Sequence, residues 1–271
     1  MPGLVESAIL GVVEGLTEYL PVSSTGHLIL AGRALGIPDD NAAKSFEIVI
    51  QLGAILAVLV HYRRLLSDKL VGVVRREPAS LRLLWALGLG FVPVAVMGLL
   101  FRGLIKEHLF GLVPVGGALV VGGILMVAVE WWRRRSGVVG LIGLEHVTPL
   151  RALAIGVGQC LSLWPGASRS MCTIVSGQLV GLSTETAAEF SFLLALPTLG
   201  AATLYELWKA RHVLVGQTGS LAPLLVGMVV SFFVAWAVIA GFLRYLKSRG
   251  LMPFGIYRIV AGGIVLWLAL G

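Results

Sequence analysis

The chain has 271 residues, 57% of them hydrophobic and 13% charged, with 21 Lys+Arg against 14 Asp+Glu and a mean hydropathy of +0.93. A soluble domain carries roughly 25% charged residues, so a water-soluble globule is excluded and an all-α integral membrane protein is expected. The net charge of +7 lies mostly in short segments beside apolar stretches, a topology pattern that points to membrane lipids and away from nucleic acid as a partner.

In chain order, the apolar stretch 4–20 carries Glu6, Glu14 and Glu18 and has no basic leader, so it is read as structure rather than a cleavable signal. Pro21 breaks it, and a second short piece runs over 24–36. Three stretches long enough to span a hydrocarbon core of about 30 Å follow, at 45–62, 83–101 and 112–132. The pattern then repeats. Short pieces at 151–163 and 168–181, broken at Pro165, precede spans at 187–208, 221–243 and 253–270. At about 1.5 Å per residue the short pieces reach only partway across, so each couple is expected to form a re-entrant helix pair. Cys160 and Cys172, both in apolar context, indicate neither a disulfide framework nor a thiolate metal site.

Sliding the chain along itself by about 144 residues superposes Gly11 on Gly156, Pro21 on Pro165, Ser24 on Ser168 and Phe46 on Phe190. One domain of two repeats, about 1–132 and 150–271, is expected. Basic residues fix its direction. Loops 63–82, 133–151 and 244–252 hold thirteen Lys and Arg, whereas loops 102–111 and 209–220 hold two each. The positive-inside rule puts the rich loops in the cytoplasm. Three spans separate the halves, so the repeats are inverted, the two pairs enter from opposite sides, and their tips meet near the midplane.

Both tips are polar. Glu14, Glu18, Ser23, Ser24, Thr25 and His27 crowd the first, and Ser168, Arg169, Ser170 and Thr173 the second. Charges at bilayer depth are costly, so both clusters are functional candidates. Ser23 and Ser24 after one break, and Ser168 after the other, supply caps for helix starts that favour phosphate, and the planar fork of Arg169 suits bidentate phosphate contact. Glu14 and Glu18, four residues apart on one helical face, repel unless a cation joins them or one is protonated; Mg²⁺ or Ca²⁺ held with substrate phosphates would satisfy them. His27 can share a face with Ser24 and is the acid/base candidate, with Ser24 or a metal-activated water as nucleophile. Glu47 and Gln51 could line the same cavity. Arg258 and Glu189 fall within spans without a role beyond pairing, and Trp131 and Trp132 read as an aromatic belt.

The Glu14-to-Glu18 spacing, the run from Pro21 to His27, the run from Pro165 to Thr173 and the segment Phe46 to Gly53 resemble the signature motifs of the bacterial undecaprenyl-diphosphate phosphatases, the bacitracin-resistance family, over essentially the whole chain. The resemblance implies a multi-pass enzyme of the bacterial cytoplasmic membrane. Such an enzyme removes the terminal phosphate of the C55 polyprenyl diphosphate carrier, recycling it for peptidoglycan synthesis, and depends on a divalent cation. The resemblance also implies an inverted-repeat fold whose site opens to the outer, periplasmic side. Carried over, the family's catalytic residues fall on Glu18, Ser24, His27 and Arg169. Ser23, Thr25, Ser168, Ser170, Thr173 and Gln51 are expected to meet substrate, and Glu14 and Glu18 the metal. Homo-oligomerisation is left open. Inverted repeats with broken helices are also the usual transporter plan, so a polyprenyl-phosphate transporter or flippase stands as the alternative.

Overall fold

The computed structural model describes residues 2–38, 40–109, 111–216 and 221–270. Phe110, in the expected loop 102–111, and residues 217–220, in the expected loop 209–220, lie outside them. Among the described residues there are eleven α-helices and no β-strand. In lipid every backbone group must find a partner within the protein, and a helix does this inside one segment.

Two short helices, α1 (Leu4–Thr17) and α2 (Ser24–Ala34), open the chain, and α3 (Asn41–His61) follows. After α4 (Arg63–Val74) come the long α5 (Pro78–His108) and α6 (Leu112–Arg135). The second half opens with α7 (Pro149–Gln159), a 3-10 turn at Cys160–Leu163 and α8 (Arg169–Leu179), followed by α9 (Thr184–Gly216), α10 (Ala222–Leu246) and α11 (Met252–Leu270). Six helices are long and apolar enough to cross a membrane, and each covers one of the six expected spans. The four short pieces appear as α1, α2, α7 and α8. Three stretches differ from expectation: 63–82, read as a loop, is helical over Arg63–Val74 and again from Pro78, α5 runs on to His108 through most of the expected loop 102–111, and α9 runs on to Gly216 through part of the expected loop 209–220. In α4, Leu65 and Leu66 pack on the core while Arg63, Arg64 and Asp68 face out, a mixed polarity that a search for apolar runs passes over.

The halves interlock rather than sit side by side. α1 packs along α10, while α7 packs along α5; α3 meets α9, and α6 meets α11. Glycines allow the closest crossings, where packing rather than hydrophobicity holds helices together. A Cβ on Gly11 would lie 2.5 Å from the Gly227 carbonyl oxygen, and one on Gly156 2.5 Å from the Gly90 carbonyl oxygen. These two crossings match element for element between the halves. The two helix breaks, Glu18–Ser23 and Trp164–Ser168, come together between these crossings, joined by the bond from the Ser170 hydroxyl to the Leu20 carbonyl at 3.0 Å. Around the breaks Tyr19, Phe190 and Phe192 are buried, with Tyr19 and Phe192 edge to face at 5.1 Å between centroids and the Tyr19 hydroxyl donating to the Ala54 carbonyl at 2.8 Å.

Candidate active site

Each break ends in a serine with a positive φ. Ser23 (φ 77°) caps α2 and Ser168 (φ 72°) caps α8, accepting from the amides of Gly26 at 3.4 Å and Met171 at 3.2 Å. Non-glycine residues in this region carry strain that the surroundings must hold, a common mark of functional sites. The shared dihedral corrects the register expected from sequence. Ser168 corresponds to Ser23, not Ser24, so the first residue of α2, Ser24, is the counterpart of the first residue of α8, Arg169. Pro21 and Pro165 match at an offset one residue shorter, because a proline does not fix the turn that follows it.

Ser24 and Arg169 meet at one carboxylate. Glu18, at the C-terminal end of α1, is buried; its Oε2 accepts from Ser24 Oγ at 2.6 Å and its Oε1 from Arg169 Nη2 at 3.1 Å. Arg169 Nη1 donates to the Ser191 carbonyl at 3.0 Å, and its guanidinium carbon lies 5.7 Å from the centre of the Tyr19 ring. The buried Nε of Arg169 has no hydrogen-bond partner. A guanidinium with an unspent donor beside a carboxylate and a hydroxyl can receive an additional oxyanion.

The remaining second-tip hydroxyls brace that tip. Ser168 Oγ and Ser170 Oγ are 3.0 Å apart, Ser170 Oγ donates to the Leu20 carbonyl at 3.0 Å, and Thr173 Oγ1 lies 2.6 Å from Ser191 Oγ. All three are buried, and the Ser170 bond ties the second tip to the first. Of the other expected contacts, Thr25 is exposed at the start of α2. Gln51 reaches α9 instead, where its Oε1 accepts from Thr203 Oγ1 at 2.9 Å.

His27 is close by but not aimed at Ser24. Its Nδ1 lies 2.7 Å from the Ser23 carbonyl oxygen and its Nε2 2.6 Å from the Tyr257 hydroxyl. Ser24 has its hydrogen bond to Glu18, which makes Glu18 the base in reach of the serine proton. Glu14 is 1% exposed, its Oε1 has no partner, and Glu18, Glu47 and Arg169 are within electrostatic reach. An orphaned carboxylate oxygen beside another carboxylate fits a hard divalent cation. Among the described residues no three His, Cys, Asp or Glu side chains converge, so phosphate oxygens would complete such a site.

Arg258, which sequence left without a role, is 0% exposed and joins both tips. Its Nη1 donates to the Pro21 carbonyl at 3.2 Å, and its Nη2 faces the carbonyls of Ala118, Gly166 and Ala167 at 3.0 to 3.1 Å. A cation within an apolar span is itself the signal that finds such a residue. Ser191 and Tyr257 carry no comparable signal: a lone hydroxyl or phenol is unremarkable in a membrane helix.

Residues 7–264 match the family model described as bacitracin resistance protein BacA. The chain is 61% identical over 263 residues to the undecaprenyl-diphosphatase of Sorangium cellulosum, covering 97% of this chain and 85% of that one. It is 46% identical to undecaprenyl-diphosphatase 2 of Rhodospirillum rubrum and to the undecaprenyl-diphosphatase of Albidiferax ferrireducens, each alignment covering 97% of this chain and 94% of the relative.

Proposed function

The chain belongs to the BacA family of bacitracin resistance proteins, and from that premise we propose how its two tips carry out the undecaprenyl-diphosphatase reaction. The protein is a multi-pass membrane hydrolase that removes the terminal phosphate from a polyprenyl diphosphate lipid carrier. One observation carries the mechanism: Glu18 accepts from Ser24 at 2.6 Å and from Arg169 at 3.1 Å, so nucleophile, base and phosphate-binding cation converge although they come from opposite halves of the sequence.

The diphosphate enters between the tips while the polyprenyl tail lies among the spans. Arg169 binds the terminal phosphate, and the α2 and α8 helix starts add partial positive charge. Glu18 Oε2 takes the proton of Ser24, whose Oγ attacks the terminal phosphorus in line. The P–Oγ bond forms and the bridging P–O bond breaks, its electron pair leaving with the lipid monophosphate. Water then attacks the phosphoserine, His27 taking its proton; the P–Oγ bond breaks with its electron pair on Ser24 Oγ, which recovers the proton held by Glu18, inorganic phosphate departs, and His27 gives its proton to solvent. Arg169 stabilises the charge on the equatorial oxygens in both steps. Glu14 and Glu18 would hold a divalent cation, Mg²⁺ or Ca²⁺, which when bound supplies charge neutralisation at the phosphates.

We read the matched pairings of α1 with α10 and α7 with α5 as two inverted repeats. The richly basic segments lie on the cytoplasmic side of the inner membrane and the site opens to the periplasmic side, a reading supported by the thirteen Lys and Arg in three alternate loops. Phosphate release from undecaprenyl diphosphate by purified protein in detergent tests the mechanism. Turnover is expected to vanish in Glu18→Gln while the thermal melt is retained; a folded Glu18→Gln variant with parental turnover overturns it.

A further inference from the structure

Tyr257 lies in the second turn of α11, far in sequence from both polar motifs, yet its hydroxyl is 2.6 Å from His27 Nε2. The two rings are nearly parallel, 12° apart with centroids 5.7 Å from each other. The other imidazole nitrogen fixes how this bond must be read. His27 Nδ1 is 2.7 Å from the Ser23 carbonyl oxygen, which can only accept, so Nδ1 carries the proton. In the neutral ring Nε2 then holds the lone pair, and the Tyr257 O–H donates to it.

The packing of α11 on α6 sets the level of this phenol. Gly255, two residues earlier, packs against the backbone of Gly123, and Gly123 lies about 17 Å along α6 from either end of that helix at 1.5 Å per residue. Tyr257 is therefore level with the middle of α6, although it lies only five residues, about 7.5 Å, from the start of its own helix. A phenol in hydrocarbon needs a partner for its hydroxyl, and here the partner is the histidine of the site. Tyr257 is 47% exposed, so the phenol can swing away without unpacking the core. The next residue, Arg258, pins α11 to the Pro21, Gly166 and Ala167 carbonyls, which sets the height of Tyr257 against His27.

We propose that Tyr257 is a positioning residue for His27. Its donated hydrogen bond to Nε2 fixes the imidazole rotamer and keeps the lone pair covered until water for the second step displaces the phenol. Meanwhile Glu18 alone takes the proton of Ser24. The phenol keeps its own proton throughout. This inference rests on the reading of His27 as the base of the second step.

Three full-length proteins in detergent, the parent, Tyr257→Phe and His27→Ala, separate the claims. Phosphate release from undecaprenyl diphosphate and carbethoxylation of His27 by diethyl pyrocarbonate, followed by mass spectrometry, are the readouts. Tyr257→Phe is expected to lower kcat about tenfold with KM within about twofold, and to speed carbethoxylation at Nε2 several-fold because the lone pair is uncovered. An unchanged kcat, a change confined to KM, or an unchanged carbethoxylation rate overturns the role of Tyr257. If His27→Ala is inactive while Tyr257→Phe behaves as the parent, only the inference on Tyr257 falls. Full turnover in His27→Ala removes the base and the inference together.

Discussion

At the first tip Ser24 and His27 are half-buried and Thr25 is exposed, whereas at the second tip Ser168, Ser170 and Thr173 are buried and each hydroxyl is engaged within the protein. Both tips share a serine cap at positive φ, and both aim the first residue of the following helix at Glu18. At one tip that residue is a serine and at the other an arginine. The two breaks thus keep one backbone device, and on the proposed mechanism they divide the chemistry, the open tip offering the reacting groups and the braced tip holding a cation still. Preorganised charge is most effective when its carrier does not move during reaction, and the second tip has the packing for that task.

Removing the cation tests that division most severely. Arg169→Ala is expected to lower kcat/KM by about 10³-fold, on the order of 4 kcal/mol. Arg169→Lys should recover little, because an ammonium lacks the fork that spans Glu18, Ser191 and a phosphate. Steady-state phosphate release checks both, and a loss below tenfold in Arg169→Ala would mean that the braced tip does not bind the reacting phosphate. At the open tip, Ser24→Ala is expected to cost about 10²-fold or more in kcat, and acid quench of the parent during turnover should leave phosphoserine at residue 24. Parental turnover in Ser24→Ala would transfer the attack to water.

A smaller effect separates Glu14 from its counterpart Gln159. Each has a buried side-chain oxygen without a partner, and Gln159 in addition donates its Nε2 to the Gly90 carbonyl at 3.3 Å, so the two differ in charge rather than in an orphaned oxygen. Glutamine is thus an accepted residue at this point of the fold, and Glu14→Gln should leave the melt near the parental one. The Mg²⁺ or Ca²⁺ concentration needed for half-maximal phosphate release should nevertheless rise about tenfold, and chelator should silence the parent. An unchanged metal requirement in Glu14→Gln would take that carboxylate out of the cation site.

The six spans were legible because lipid demands long unbroken apolar runs, and the polar clusters were legible because charge is rare among them. Other features left no such trace. α4 mixes Leu65 and Leu66 with arginines and carries no long apolar run. The meeting of Ser24 with Arg169 depends on a dihedral at Ser23 and Ser168 that two nearby prolines misaligned by one residue. Gln51 shares the helical spacing of Glu47, yet its amide is drawn to Thr203 on α9, because which neighbour a helix face meets is decided by packing between distant segments. The same holds for Tyr257, which reaches His27 across 230 residues of sequence.

The caps themselves offer the finest comparison of the tips. Alanine at either serine removes the acceptor for an amide while keeping a Cβ at positive φ, and glycine removes the acceptor but relieves the backbone. Ser168 also bonds Ser170 and caps at 3.2 Å, against 3.4 Å for Ser23. Ser168→Ala should therefore destabilise by about 1–2 kcal/mol and Ser23→Ala by about 1 kcal/mol, while both glycine variants stay within about 0.5 kcal/mol of the parent. Thermal unfolding in detergent reads the order. If Ser23→Gly melts well below Ser23→Ala, the positive φ at that tip is not strain held by its surroundings, and the two breaks do not share one backbone device.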